Sequence, residues 1–113
     1  MNVDNPYNLD LESTEAQTIS ENRADESVLK RTFKDFFGEL NYFFGAEQAD
    51  FTLEDVVAYI GVDPSEYRYD AGREAQIYSW YAAKSKAKVL HVWFKDGKLY
   101  ACGAYNLGFP KMS

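Results

Sequence analysis

The dipeptide Asp96-Gly97, set between the apolar stretches Val89–Phe94 and Leu99–Tyr105, constrains the fold of this chain more than any other feature. A two-residue connection between strands takes type I′ geometry, which needs positive φ at both positions, and Asp and Gly tolerate it. Lys88 to Tyr105 is therefore predicted to be a β-hairpin. Upstream, from Ala75, side chains alternate with period two: Ile77, Ser79 and Tyr81 fall on one side, and Tyr78, Trp80 and Ala82 on the other. That alternation marks another strand, joined to the hairpin by a polar turn at Lys84 to Lys86.

The segments before the strands read as helices. Apolar residues at Val28, Leu29, Phe33, Phe36, Phe37, Leu40, Phe43 and Phe44 follow helical offsets, with Ser27 as N-cap and Gly45 as terminator. A second helix starts at Thr52-Leu53-Glu54-Asp55, where a hydroxyl caps and carboxylates meet the positive end of the helix dipole. Leu53, Val56, Val57 and Ile60 form its apolar face, and Gly61 followed by Asp63-Pro64 ends it. Glu66 to Glu74 reads as a loop with at most a short extended piece. The expected fold class is α+β, with two helices packed on one face of an antiparallel sheet of at least three strands.

At 113 residues there is room for one core and no second folded domain. The first 26 residues hold one aromatic, Tyr7, and carry Asp4, Asp10, Glu12, Glu15, Glu21, Asp25 and Glu26 against Arg23. That is the whole formal charge of −6, so the remainder balances. Such a segment has little apolar surface to set against chain entropy, so residues 1–26 are expected to form a disordered acidic arm before a single α+β domain at 27–113. Lysines at 84, 86, 88, 95 and 98 gather at the ends of the hairpin's first strand, and the arm could fold back over them.

With a two-residue turn, counting outward from Lys95 and Lys98 pairs Phe94 with Leu99, Trp93 with Tyr100, Val92 with Ala101, His91 with Cys102, Leu90 with Gly103 and Val89 with Ala104. One face then bears Leu90, Val92, Phe94, Leu99 and Ala101, fit to receive the helices. The other bears Val89, His91, Trp93, Tyr100, Cys102 and Ala104. Aromatic and imidazole side chains on a sheet face give contact area with few rotors to freeze. The expected partner-binding residues are therefore Trp93, Tyr100 and His91, joined by Trp80 and Tyr78 from the neighbouring strand.

Enzymatic signals are weak. His91 opposite Cys102 would need a third group to orient the base, and none is identifiable. A lone cysteine and a lone histidine offer no paired-cysteine metal shell, and no phosphate-binding glycine loop is present. No catalytic residues, metal or cofactor are expected. Nucleic acid is disfavoured by the net charge of −6, despite the basic hairpin ends. No apolar run approaches the length of a membrane span.

From Thr52 onward the order of motifs resembles the superfamily of the β-lactamase inhibitor protein and the small outer-membrane lipoprotein A domains. The residues that carry it are Thr52 to Gly61 with Pro64, then Tyr78-Ser79-Trp80-Tyr81, then Val92 to Leu99, and Leu107-Gly108, about Phe51 to Gly108 in all. The resemblance implies a helical pair on an antiparallel sheet whose other face binds proteins. It also implies export and often a lipid anchor, whereas this sequence shows neither signal nor lipobox. The chain as written is expected in the cytoplasm, and outside it if a leader has been removed. The function expected is a noncatalytic protein-binding module, such as a small phage or bacterial inhibitor. The alternative is an extracytoplasmic, envelope-associated or lipoprotein-type structural domain.

Overall fold

The computed structural model describes residues 9–10, 12–37 and 51–106. Among them, five strands form one sheet in sequence order, each antiparallel to its neighbour. They are β1 (Gln17–Thr18), β2 (Glu66–Asp70), β3 (Ala75–Ala82), β4 (Ser85–Lys95) and β5 (Lys98–Tyr105). Helices α1 (Glu26–Thr32) and α2 (Leu53–Ile60) pack on one face, giving the α+β architecture expected.

Helix α2 follows its sequence signals closely. The Thr52 hydroxyl accepts from the Asp55 N–H at 3.3 Å, and the Asp55 carboxylate accepts from the Thr52 N–H at 2.9 Å, closing a capping box. Gly61 at φ 96° ends the helix, and its N–H donates to the Val57 carbonyl. Helix α1 starts two residues earlier than expected. Its N-cap is Asp25, whose carboxylate accepts from both the Ser27 N–H and the Ser27 hydroxyl. At Phe33 the helix widens into a π-helical turn over Phe33–Phe37, and the continuation read through Gly45 lies outside the described residues. Arg31 sits over the Tyr59 ring at 5.5 Å and the Tyr59 hydroxyl donates to Asp35, which ties α1 and its extension to α2.

The core lies between these helices and one sheet face. Leu29 from α1 and Val56 and Ile60 from α2 meet Tyr67, Tyr78, Trp80, Leu90, Val92, Phe94 and Leu99. Tyr67 and Tyr78 touch with ring centroids 5.0 Å apart, and Tyr78 meets Phe94 edge-on at 5.8 Å. The Trp80 indole N–H donates to the Val62 carbonyl at 3.0 Å, so even this buried ring keeps its polar atom satisfied.

Three expectations change. The region read as a loop with room for a short extended piece holds a full strand, β2, which pairs along its whole length with β3. The segment read as a disordered arm, over its described part, lies on the sheet: β1 pairs with β2, and Ala24 is buried and bridges Ala82. Much of the attachment is made by backbone groups, with Ile19 N donating to Ser65 O at 2.8 Å, Ala24 N to Tyr81 O at 3.1 Å, and Ala83 N to Ala24 O at 2.8 Å. Side-chain composition does not report such bonds, because every residue but proline carries the same donor and acceptor. The third change is in the hairpin. Asp96 and Gly97 have φ of 53° and 80°, as the turn requires, and Lys95 pairs with Lys98 and Phe94 with Leu99. Beyond that pair the register slips: Trp93 pairs with Ala101, Val92 with Cys102, His91 with Gly103, Leu90 with Ala104 and Val89 with Tyr105. Tyr100 is the extra residue of a β-bulge, and every side chain of β5 after it changes face.

Candidate functional site

The bulge decides which residues meet on the sheet face opposite the core. Across the strands, Glu66 pairs with Ser79, Ser79 with His91 and His91 with Gly103. In the next row of that face, Arg68 pairs with Ile77, Ile77 with Trp93 and Trp93 with Ala101. A third row runs from Tyr81 through Val89 to Tyr105. Both described helices lie on the other side, through Leu29, Val56 and Ile60.

His91, Trp93 and Tyr105 form an aromatic group on this face. The His91 ring stands edge-on to Trp93 at 6.1 Å and to Tyr105 at 5.2 Å. Gly103 makes the arrangement possible: a Cβ there would come within 3.3 Å of both the Trp93 and the Tyr105 rings. Tyr105 is 51% exposed, the largest exposed hydrophobic side chain among the described residues, while Trp93 and His91 are half-buried. Between them sit small or branched residues, Ile77, Ser79, Val89 and Ala101, all buried.

Polar contacts hold the group in place. The Trp93 indole N–H donates to Asp70 Oδ2 at 3.2 Å, and the same oxygen meets Arg73 Nη1 at 3.3 Å. Burial works to raise the Asp70 carboxyl, but the Arg73 N–H, the Trp93 indole and the Arg73 guanidinium outweigh it and hold the group below its ordinary value. The Tyr81 hydroxyl donates to Glu66 at 2.8 Å; burial first, then this carboxylate, push the phenol up to about 12. Ser79 Oγ lies 2.6 Å from His91 Nδ1. Burial, with the Arg68 charge adding to it and Glu66 opposing, lowers the His91 pKa, so the imidazole is neutral at pH 7.

The expected site residues divide sharply. Trp93 and His91 lie on this face, and Tyr100 bulges beside Lys95, whose ammonium is 5.4 Å from the ring centroid. Trp80 and Tyr78 do not reach it. They are 0% and 1% exposed on the core face, because residues alternate along β3 and the helices cover that side. Cys102 also moves to the core side, opposite Val92, and burial pushes its thiol up to about 12. His91 therefore faces Gly103 and not Cys102, and the thiol–imidazole pair suggested by simple counting does not form. Ala101 makes the opposite exchange and joins Trp93.

Sequence reading missed Tyr105, Asp70 and the Ser79–His91 contact. One signal was available for Tyr105. The unbroken count turns both Gly103 and Tyr105 toward the core and leaves no side chain opposite Leu90, whereas a one-residue slip turns Cys102 and Ala104 toward it instead. Asp70 and Ser79 depended on recognising β2 and its register. Among the described residues, no group of three or more His, Cys, Asp or Glu side chains is placed to hold a metal ion, and no helix is long and apolar enough to cross a membrane. Compared with protein families, curated proteins and solved structures, the chain has no match.

Proposed function

We infer that this chain is a noncatalytic protein-binding module that recognises its partner through the sheet face around Trp93, His91, Tyr100 and Tyr105. The observation that carries the reading is the aromatic group itself, in which side chains of partner-binding type are held by their neighbours before any partner arrives. Preorganised rings lose little rotamer freedom on binding, so more of their contact energy appears as affinity. Trp and Tyr are the types most enriched at the energetic centre of interfaces. The motif resemblance to the β-lactamase inhibitor protein superfamily agrees with an inhibitor-like role, and it rests on sequence alone.

The Ser79–His91 contact does not favour an esterase. Ser79 is 4% exposed in the middle of a strand paired on both sides. Backbone N–H groups there are engaged in the ladder, and a developing oxyanion would need donors aimed at it. A fluorophosphonate probe is expected to leave Ser79 unlabelled; stoichiometric labelling would establish a nucleophile and overturn the noncatalytic assignment.

Affinity capture tests the face directly. Partners retained by the unaltered chain should be lost with Trp93→Ala and with Tyr105→Ala, and retained by Glu54→Gln on the opposite side. If both face variants keep the partner while folding normally, the binding surface lies elsewhere.

A further inference from the structure

The end of the sheet that carries the β2–β3 and β4–β5 turns sorts its charges by side. On the core side, Glu54, Glu74 and Asp96 line a groove of about 750 Å³ with Tyr69 and Phe94. On the second face, Arg68 stands in the Trp93 row, and Lys95 and Lys98 occupy the paired strand ends beside it. Two carboxylates of that face are already engaged: Glu66 accepts from Tyr81, and Asp70 accepts from Trp93 and from Arg73. Both therefore have donors of their own, while the neighbouring turns place Glu74 and Asp96 along the groove on the other side.

We propose that the partner of this face presents an acidic protein segment bearing a large apolar residue, which seats against Trp93 while its carboxylates meet Arg68 and Lys95. The proposal rests on the reading of this face as a protein-binding surface and adds the partner's chemistry. Guanidinium suits carboxylate through paired, planar hydrogen bonds, and Arg68 is exposed and close enough to act electrostatically on His91. The net charge of −6, which disfavours a long polyanion such as nucleic acid, weighs less against a short acidic segment. At physiological salt the screening length is about 8 Å, so charges within the footprint govern and distant ones are damped. The three carboxylates of the groove repel the same segment from the core side, which gives the contact one orientation.

The test titrates the full-length, isotope-labelled chain with a synthetic peptide of Glu and Asp around one Phe, and with the same peptide carrying Lys in place of the acids. The acidic peptide should shift the Trp93 indole and the Arg68 and Lys95 amides saturably. Its affinity should fall at least about fivefold as salt rises to about 0.3 M, and the Arg68→Glu/Lys95→Glu double variant should abolish the response while keeping a dispersed native spectrum. An acidic peptide that leaves these resonances unmoved overturns the proposal, as does a lysine peptide that moves them equally. A single-stranded oligonucleotide that binds there more tightly also overturns it, in favour of phosphate. If a captured partner is lost with Trp93→Ala but kept by the double charge variant, the face remains the binding surface and the acidic chemistry fails.

Discussion

Trp80 and Trp93 occupy equivalent settings in neighbouring strands and differ in what surrounds them. Each lies inside a β-strand, and each indole N–H has an acceptor, the Val62 carbonyl for Trp80 and the Asp70 carboxylate for Trp93. Trp80 faces the helices and is fully buried, while Trp93 faces away from them and keeps part of its ring in solvent. The comparison teaches that a tryptophan's role in this sheet is set by the parity of its position and not by its type. One ring is interior that the fold needs. The other is surface held in a fixed pose.

Truncation separates the two most forcefully. Trp80→Ala removes a ring from the centre of the core and should cost about 3–5 kcal/mol, read from urea unfolding. Trp93→Ala should cost about 1 kcal/mol and act chiefly on partner binding. Equal losses of stability would erase the distinction. The thiol gives a second contrast of the same kind. Cys102 lies on the Trp80 side, and its raised pKa leaves little thiolate at neutral pH. It should alkylate at least about tenfold more slowly in the native chain than in urea. Fast native alkylation would return Cys102 to the Trp93 side and restore the unbulged register.

That register marks the boundary of what the sequence disclosed. The Asp96-Gly97 turn, the Thr52 capping box and the Gly61 terminator were legible because each needs particular residue types at particular φ values or donor positions. Strand β3 was legible from its alternation, and with it the two-sided character of the sheet. The bulge at Tyr100 was not, since any residue can be the extra one and only the packing of Ala101 to Tyr105 exposes the slip. Trp93 and His91 were placed correctly because the extra residue sits on β5 and leaves the alternation along β4 unbroken. Cys102 and Ala101 were exchanged because they lie beyond it on β5. Trp80 and Tyr78 were assigned to the wrong side by residue type, although their parity along β3 was read correctly. The docking of residues 17–24 escaped notice because backbone bonds to Ser65 and Tyr81 hold it.

Gly103 sharpens the comparison from the second face. An added Cβ would press on the Trp93 and Tyr105 rings at 3.3 Å, and both are side chains that keep part of their surface in solvent. Gly103→Ala should therefore change stability by less than about 1 kcal/mol, since alanine also restricts the unfolded chain. It should nevertheless displace both rings, visible as shifts of the Trp93 indole resonance with the Trp80 indole unmoved. Movement of the Trp80 signal would mean that the two faces are mechanically coupled.

The smallest effect concerns the imidazole between those rings. Burial and the Arg68 charge lower the folded His91 pKa below its ordinary value of 6.5, with Glu66 opposing. Between the two values the unfolded chain binds more protons than the folded one, so stability falls as pH drops through 6.5 and levels off for this group below the folded value. Carboxylates stay largely ionised above about pH 5, which leaves roughly pH 5 to 7 as the window in which His91, the lone histidine, dominates the slope. His91→Gln should flatten the stability profile there while leaving the carboxylate-driven decline at lower pH intact. The Trp93 indole resonance should lose its titration over the same range, and that of Trp80, enclosed on the other face, should show none in either protein. A Trp80 shift that tracks the imidazole would place its effect inside the core and dissolve the division between the two tryptophans.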